Sequence, residues 1–220
     1  VYTLVFSYIA ILTIIYSYGL DTAFFRFYIL DDTPQGRNRV FSTSFITIIL
    51  TSTLFSLAIY LFRHRVAVQM FSSDIHNLPI NLPFLVTLSA GILFFDSLML
   101  MPFLILRAEE KPFQFIFFKF LNVVINFVCN IVLIIGLNMG VEGIFIANLI
   151  SSSATFLLML PIVLKHFHFS FSWPTFKELF AFGIPYLPST LSVNLMDTID
   201  KIIFEKLDSG SLPAKPSTTR

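Results

Sequence analysis

Two charged side chains, Asp21 and Arg26, lie in a run from residue 1 to 30 that is otherwise almost wholly apolar. A charge at the middle of a bilayer costs about 2.5–3.5 kcal/mol on insertion scales, so ionisable side chains there usually face a protein interior or a wet cavity. Alternatively, Gly19 ends the helix and both charges lie at the lipid headgroups. Both interpretations indicate a membrane protein, with Asp21 a candidate for ion coupling and Arg26 for substrate binding.

A polar stripe follows one predicted helix. Lys119, Asn122, Asn126 and Asn130 succeed one another at steps of three, four and four residues, which at about 100° per residue confines them to an arc of about 80°. Apolar residues fill most of the other positions, so one face suits water or a polar substrate. Alternatively, the amides hydrogen-bond neighbouring helices, each contributing about 0.6 kcal/mol. All four side chains are candidates for substrate binding.

Asp96 lies near the middle of another apolar run. Along a helix it would be roughly 15 Å from the end of its run at Leu106, and Lys119 roughly 10 Å from the start of its own at Pro112. A flexible Lys could span that offset, and a pair would avoid two isolated buried charges. An unpaired Asp96 would instead take up a proton. Either state suits a coupling-ion site, although a purely structural ion pair explains the pattern equally well.

The composition indicates lipid as the solvent. Hydrophobic residues make up 56% of the 220 residues and charged residues only 12%, and the mean hydropathy of +0.83 is far above the range of soluble domains. The net charge of +1 comes with no basic stripe, which argues against a nucleic-acid partner. Cys129 and the scattered histidines form no ligand or catalytic set, so we predict no metal, no cofactor and no enzymatic site.

Six runs are long enough to cross about 30 Å of hydrocarbon as helices. Open strands would leave backbone groups unpaired in lipid, so we predict an all-α integral membrane protein. In the fifth run Gly143, Ala147, Ser151 and Thr155 recur every four residues, which predicts a strip for close helix packing. The predicted spans are 1–20 (extending toward 30), 41–62, 82–106, 113–136, 140–164 and 179–199.

The connections between these spans carry turn residues and charges. Seven Lys and Arg residues lie in the first, third and fifth connections and two in the second and fourth, so the odd connections should be cytoplasmic. Residue 1 would then lie outside, which suggests that a helix preceding it is missing. In the sixth span Pro185 and Pro188 predict a kink. Residues 1–207 form the predicted transmembrane region, and 208–220 read as a polar, disordered tail.

Three further stretches carry a family likeness. They are residues 19–27, residues 106–112 with the Asn-bearing helix and 140–143, and residues 182–188 with Asp200 and Lys201. Together they resemble the polysaccharide and oligosaccharide (O-antigen type) flippases of the multidrug/oligosaccharidyl-lipid/polysaccharide exporter superfamily, and the likeness extends to about residue 207. It implies the second to seventh helices of a transporter with twelve to fourteen helices in two bundles around a central cavity.

The resemblance implies a flippase that moves a polyprenyl-diphosphate-linked oligosaccharide across the bacterial cytoplasmic membrane for O-antigen, capsule or exopolysaccharide assembly. Its partners would be that lipid-linked substrate, membrane lipids and glycan-assembly proteins. A diphosphate needs cations, for which Arg26 and Lys119 are candidates, and sugars need amides such as Asn122 and Asn126. The alternatives are a polytopic glycan polymerase or ligase, whose large outer loop is lacking here, and a small-molecule exporter of the same superfamily.

Overall fold

The chain folds into α-helices joined by short turns. The computed structural model describes residues 2–31, 33–70 and 81–186, together with 188 and 192, and these ranges contain no β-strand. The helices are α1 (Tyr2–Ser17), α2 (Leu20–Leu30), α3 (Pro34–Leu61), α4 (Arg63–Met70), α5 (Leu82–Ala108), α6 (Pro112–Asn130, continued by a π-helical segment, Ile131–Gly136), α7 (Gly140–His166) and α8 (Trp173–Gly183).

Four described helices are long and apolar enough to cross a membrane. They are Pro34–Leu61, Leu82–Ala108, Pro112–Gly136 and Gly140–His166, and they correspond to the second to fifth predicted spans. The all-α membrane fold class predicted from the sequence is therefore confirmed. The sixth predicted span is described to residue 186 and at residues 188 and 192. Its remainder and the predicted tail at 208–220 lie outside the described residues.

The first predicted span is interrupted. Tyr18 and Gly19 have φ angles of 32° and 72°, so α1 ends at Ser17 and α2 begins at Leu20 in a new direction. A continuous helix extending toward residue 30 is therefore wrong. The helix breaks at Gly19 as the alternative predicted, whereas the headgroup position that it gave Asp21 and Arg26 stays a prediction. Gly19 is required here twice, because its φ is left-handed and because an added Cβ would collide with the carbonyl oxygen of Gly183.

The start of α3 illustrates how local chemistry sets a boundary. The sequence predicted a span from residue 41, whereas the helix begins seven residues earlier at Pro34. The Thr33 hydroxyl accepts a hydrogen bond from the Gly36 N–H at 3.1 Å, and Pro34 takes the first helical position, where its missing N–H costs nothing. Hydropathy alone placed the boundary too late because this first turn is polar.

Helix α5 lies at the centre of the bundle. It packs against α7 and α3 along most of its length and also contacts α1, α2 and α6. Phe24, Phe41, Met101 and Ile105 are completely buried where α2, α3 and α5 meet. Burial of such side chains contributes about 1.5–3 kcal/mol each when the alternative is water. Because this core fixes α5, the polar residues along α5 have defined neighbours on α2, α6 and α7.

Helix α8 begins earlier than the sixth predicted span. The Ser172 hydroxyl accepts from the Thr175 N–H at 3.5 Å, and the helix runs from Trp173 to Gly183. It then tightens into a 3₁₀ turn, Ile184–Tyr186. This change occurs at Pro185, in line with the interruption that the prolines predicted. Helix α8 packs mainly on α2.

Candidate functional site

A cavity of about 480 Å³ lies between α2, α5, α6 and α7. The helices that form it come from four separate parts of the sequence, and each contributes at least one charged or amide side chain. Hydrophobic side chains such as Met99, Leu100 and Phe103 complete the wall. The polar lining consists of Asp21, Asp96, Arg107, Lys119, Asn122, Asn148 and Ser152.

Asp96 projects from the middle of α5 and is held by α7. Its Oδ1 atom accepts a hydrogen bond of 2.6 Å from the Ser152 hydroxyl, and Ser152 is only 2% exposed. A hydrogen bond from a buried hydroxyl orients the carboxyl group without neutralising it. Nothing in the sequence analysis singled out Ser152, which lies between the members of the small-residue strip.

Lys119 lines the same cavity but does not pair with Asp96. Its ammonium lies 4.6 Å from the centroid of the Phe103 ring, a cation–π contact, and among the described residues ion pairs involve only Lys111, Glu109 and His166. The direct Asp96–Lys119 pair considered from the sequence is therefore not formed. The cavity separates the two groups, so an anion and a cation can each be held on its walls.

A second cavity of about 420 Å³ contains Arg26. It shares Asp21, Leu104 and Arg107 with the first, so the two cavities adjoin. The Arg26 guanidinium carbon lies 4.4 Å from the centroid of the Phe182 ring of α8. The structure thus places Asp21 in the wall of both cavities, with Arg26 one helical turn further along α2.

Arg107 is the cation that sequence reasoning missed. It was counted only as a loop charge at the end of the third predicted span, but it lies within α5 and lines both cavities. Its guanidinium carbon lies 5.5 Å from the centroid of the Phe115 ring on α6. A signal existed in the sequence, because residues 96, 100, 103 and 107 share one helical face and Arg107 follows Asp96 by about three turns.

The amides of α6 divide into two groups. The Asn122 side chain donates to the Thr155 hydroxyl at 3.0 Å and also lines the first cavity. Asn126 donates to the Ser151 hydroxyl at 3.1 Å. Asn130 donates to the Asn126 carbonyl and side-chain oxygens at 2.8 and 2.7 Å. Asn126 and Asn130 are absent from the walls of the described cavities; Asn126 joins α6 to the small-residue strip of α7, and Asn130 contacts Asn126 within α6.

The contacts of Asn122 with Thr155 and of Asn126 with Ser151 form a seam between α6 and α7, in which a four-residue step on one helix matches a four-residue step on the other. The strip positions Gly143, Ala147, Ser151 and Thr155 are buried, and α6 packs mainly on α7. Small residues let the helices approach closely, and the amides of one helix then reach the hydroxyls of the other. For Asn126 the geometry matches the packing alternative, and Asn130 supports it only through its hydrogen bonds to Asn126.

A polar cluster closes the end of the bundle at the turn between α5 and α6. Glu109 accepts hydrogen bonds from Lys111 Nζ at 2.6 Å and from His166 Nε2 at 2.8 Å. The Nδ1 atom of His166 faces the Ile162 carbonyl at 2.9 Å, so each ring nitrogen faces an oxygen acceptor. The fifth predicted span ended at residue 164, which placed His166 in the following connection without a role. The structure corrects this, because His166 is the buried last residue of α7.

The carboxyl group of Glu109 lies outside the spans, and its neighbours determine its charge. Burial acts to raise the pKa of Glu109, but the hydrogen bonds and positive charges of Lys111 and His166 together outweigh it. The pKa of Glu109 therefore lies below its usual value. Within the described ranges, His, Cys, Asp and Glu form no group of three that could hold a metal ion.

Searches of curated proteins and of solved structures found no significant match. A family model described as polysaccharide biosynthesis protein, however, matches residues 1–209. This match supports a membrane protein with a role in polysaccharide biosynthesis, as do the four long apolar helices. Because the match covers nearly the whole sequence, the chain belongs to the polysaccharide biosynthesis protein family.

Proposed function

We propose that the chain forms part of a flippase that moves a polyprenyl-diphosphate-linked oligosaccharide across a bacterial cytoplasmic membrane. The glycan would be an O-antigen, a capsule or an exopolysaccharide. The observation that carries this proposal is the pair of adjoining cavities among apolar helices, whose walls hold Asp21, Asp96 and three cations. Charges at such depth are costly unless they serve a polar substrate or ion path.

The cations suit the diphosphate. Arg26, Arg107 and Lys119 line the adjoining cavities, and guanidinium and ammonium groups form the strongest hydrogen bonds to phosphate oxygens. The ring contacts of Arg26 and Lys119 leave their N–H groups available on the other sides. Translocation breaks no covalent bond, so the site needs binding groups and no nucleophile, and we propose a transporter without enzymatic activity.

The amides suit the glycan. Asn122 uses its N–H group on Thr155, which leaves its carbonyl oxygen to accept from a sugar hydroxyl. Asn148 adds a second amide to the same wall. The role first predicted for Asn126 and Asn130 becomes indirect in this proposal, because they hold α6 in position so that Lys119 and Asn122 face the cavity.

Asp96 is the proposed coupling group, with Asp21 as a second acid on the same wall. The Asp96 carboxylate accepts one hydrogen bond, from Ser152, so its other lone pairs are open to the cavity. A proton or a sodium ion bound there would remove an uncompensated charge from the membrane interior. The free energy needed to expose the cavity to lipid would therefore depend on whether the cation is bound.

The test uses the gene that encodes this chain in cells that lack their own exporter. Lys119→Ala should lower glycan export by about ten- to hundred-fold, the loss expected for a charge-assisted contact of about 1.5–3 kcal/mol, while membrane abundance stays normal. Asp96→Asn should change the dependence on the proton or sodium gradient. Arg65→Gln is the matched control, because Arg65 is exposed on α4 and lines neither cavity.

Three outcomes would contradict the proposal. The first is normal export by Lys119→Ala at normal abundance. The second is low abundance of both single variants with recovery in the double variant Asp96→Asn with Lys119→Gln, which would make the two charges a structural unit. The third is drug resistance that follows the variants while glycan export does not, which would favour the small-molecule exporter.

A further inference from the structure

Three aromatic side chains are exposed where the chain passes from α7 to α8. Phe169 is 95% exposed, Trp173 57% and Phe171 47%. They follow directly after α7, which is long and apolar enough to cross the membrane and ends at His166. Residues that follow a membrane-spanning helix so closely lie at the level of the lipid headgroups. In water such exposure would be unfavourable, so the surroundings of this segment need an explanation.

Hydrogen bonds to α3 hold the backbone of the segment between α7 and α8 in place. The backbone N–H of His168 donates to the Ser42 hydroxyl at 2.9 Å, and that of Ser172 donates to the Thr43 hydroxyl at 3.2 Å. Both hydroxyl residues are completely buried on α3. The two hydrogen bonds hold the backbone against the bundle, and Phe169 points away from it.

The exposed rings continue into the bundle as a series of ring contacts. The Trp173 and Phe176 rings stack with centroids 5.1 Å apart, and Phe176 contacts Phe180 at 5.1 Å. Phe180 contacts Tyr18, next to the break between α1 and α2, at 5.4 Å. Aromatic contacts of this kind are worth about 0.5–1.5 kcal/mol each beyond their burial. One face of the Trp173 ring, at the exposed end of this series, therefore stacks on Phe176, and the other face is directed away from the bundle.

Cations flank the rings. Lys165 is exposed in the last turn of α7, and Lys177 is exposed one turn into α8, with its ammonium 5.8 Å from the Trp173 ring centroid. The neighbouring acid, Glu178, lines a different cavity, together with Asp31 and Arg39. We call Lys165, Phe169, Phe171, Trp173 and Lys177 the aromatic–cationic surface, and its net charge is positive.

We propose that the aromatic–cationic surface binds the headgroups of anionic phospholipids in the leaflet at which α7 ends. Aromatic rings prefer the boundary between headgroups and acyl chains, and each Lys near an anionic membrane surface contributes attraction equivalent to about five-fold in affinity. The combination of rings, cations and position beside a spanning helix matches a lipid surface better than a protein partner. The predicted cytoplasmic side carries the anionic lipid, which agrees with this orientation.

Trp173 is the single tryptophan of the chain, so its fluorescence reports on this surface alone. The full chain would be placed in phosphatidylcholine nanodiscs that contain a minor fraction of phosphatidylglycerol, with bromines near the headgroup end of the acyl chains of one lipid or the other. Per mole of brominated lipid, phosphatidylglycerol should quench Trp173 between about five-fold and about 25-fold more strongly than phosphatidylcholine, for one or both Lys at about five-fold each, and high salt should reduce the difference.

The variants assign the preference to the cations. Lys177→Gln should remove most of the phosphatidylglycerol preference, whereas Lys177→Arg should retain it, and Lys165→Gln should lower it. Arg65→Gln, an equal charge change on α4, should leave it unchanged. Equal quenching by the two lipids in the unaltered chain would overturn the proposal. So would a Trp173 that neither lipid quenches, because the surface would then be covered by protein.

Discussion

The polar cluster of Glu109, Lys111 and His166 gives a specific prediction about stability, because its three side chains differ in exposure. The side chain of His166 is 9% exposed, that of Glu109 23% and that of Lys111 40%. A hydrogen bond between charged groups is worth about 1.5–3 kcal/mol when it is sheltered. An exposed ion pair is worth about 1 kcal/mol or less. The 2.6 Å contact of Lys111 is the shorter of the two, yet it should matter less than the 2.8 Å contact of His166.

We therefore expect His166→Phe to lower the free energy of unfolding by about 2 kcal/mol, because Glu109 keeps its burial and loses its sheltered donor. Glu109→Gln should cost about 1 kcal/mol, since the amide oxygen still accepts from His166 but the charge is gone. Lys111→Gln should cost less than about 1 kcal/mol. Equilibrium unfolding in mixed detergent micelles measures all three at neutral pH.

The pH dependence provides an independent check. Because the folded-state pKa of Glu109 lies below its usual value, ionised Glu109 stabilises the fold above the unfolded pKa, and this contribution is lost as the pH falls through the folded pKa. The unaltered protein should thus lose more stability on acidification than Glu109→Gln does. A Lys111→Gln variant as costly as His166→Phe, or identical acid dependence with and without the carboxyl group, would refute the reasoning.

Two further predictions concern the packing of the helices. Gly19→Ala should destabilise the protein by at least about 2 kcal/mol, because Ala is strained at a φ of 72° and its Cβ would meet the Gly183 carbonyl. Gly136→Ala is the control, because open space surrounds the added Cβ. It should be neutral or stabilising in the same unfolding assay. Asn126→Leu should lower the free energy of unfolding by about 0.6–1.7 kcal/mol, because it removes an interhelical hydrogen bond of the α6–α7 seam. Ser153→Ala should have no effect, because the Ser153 hydroxyl bonds only within its own helix. Equal losses of stability in the two variants would contradict a specific seam.

Helix positions could be predicted where local chemistry marks them. The sequence gives Asn81 and Pro83 at the start of α5, Pro112 at the start of α6 and Gly140 at the start of α7, and the predicted boundaries there agree with the structure to within two residues. The break at Tyr18–Gly19 was only one of two alternatives. It is decided by contact with Gly183, more than 160 positions away, which no local pattern reveals.

The candidate site was predictable in its residue types and less so in its geometry. Periodicity correctly placed Lys119 and the three amides on one face of α6, but it could not say how that face is shared between α7 and the cavity. The rotation of α6 decides this, because it turns Asn126 onto Ser151 and leaves Lys119 on the cavity wall. Arg107 and Ser152 were missed because their importance depends on neighbours from other helices.

The seam between α6 and α7 and the meeting of Gly19 with Gly183 differ in when they can form during synthesis. The hydrogen bonds of the seam join residues 25 and 33 positions apart, so the seam can close as soon as α7 has emerged and entered the membrane. The backbone contact between α2 and α8 closes a loop of more than 160 residues and must wait until Gly183 has been made. Until then the Gly19 backbone lacks its contact with Gly183, and α1 and α2 are positioned by their contacts with α3 and α5. The order of synthesis therefore lets the α6–α7 seam form before the junction of α2 with α8.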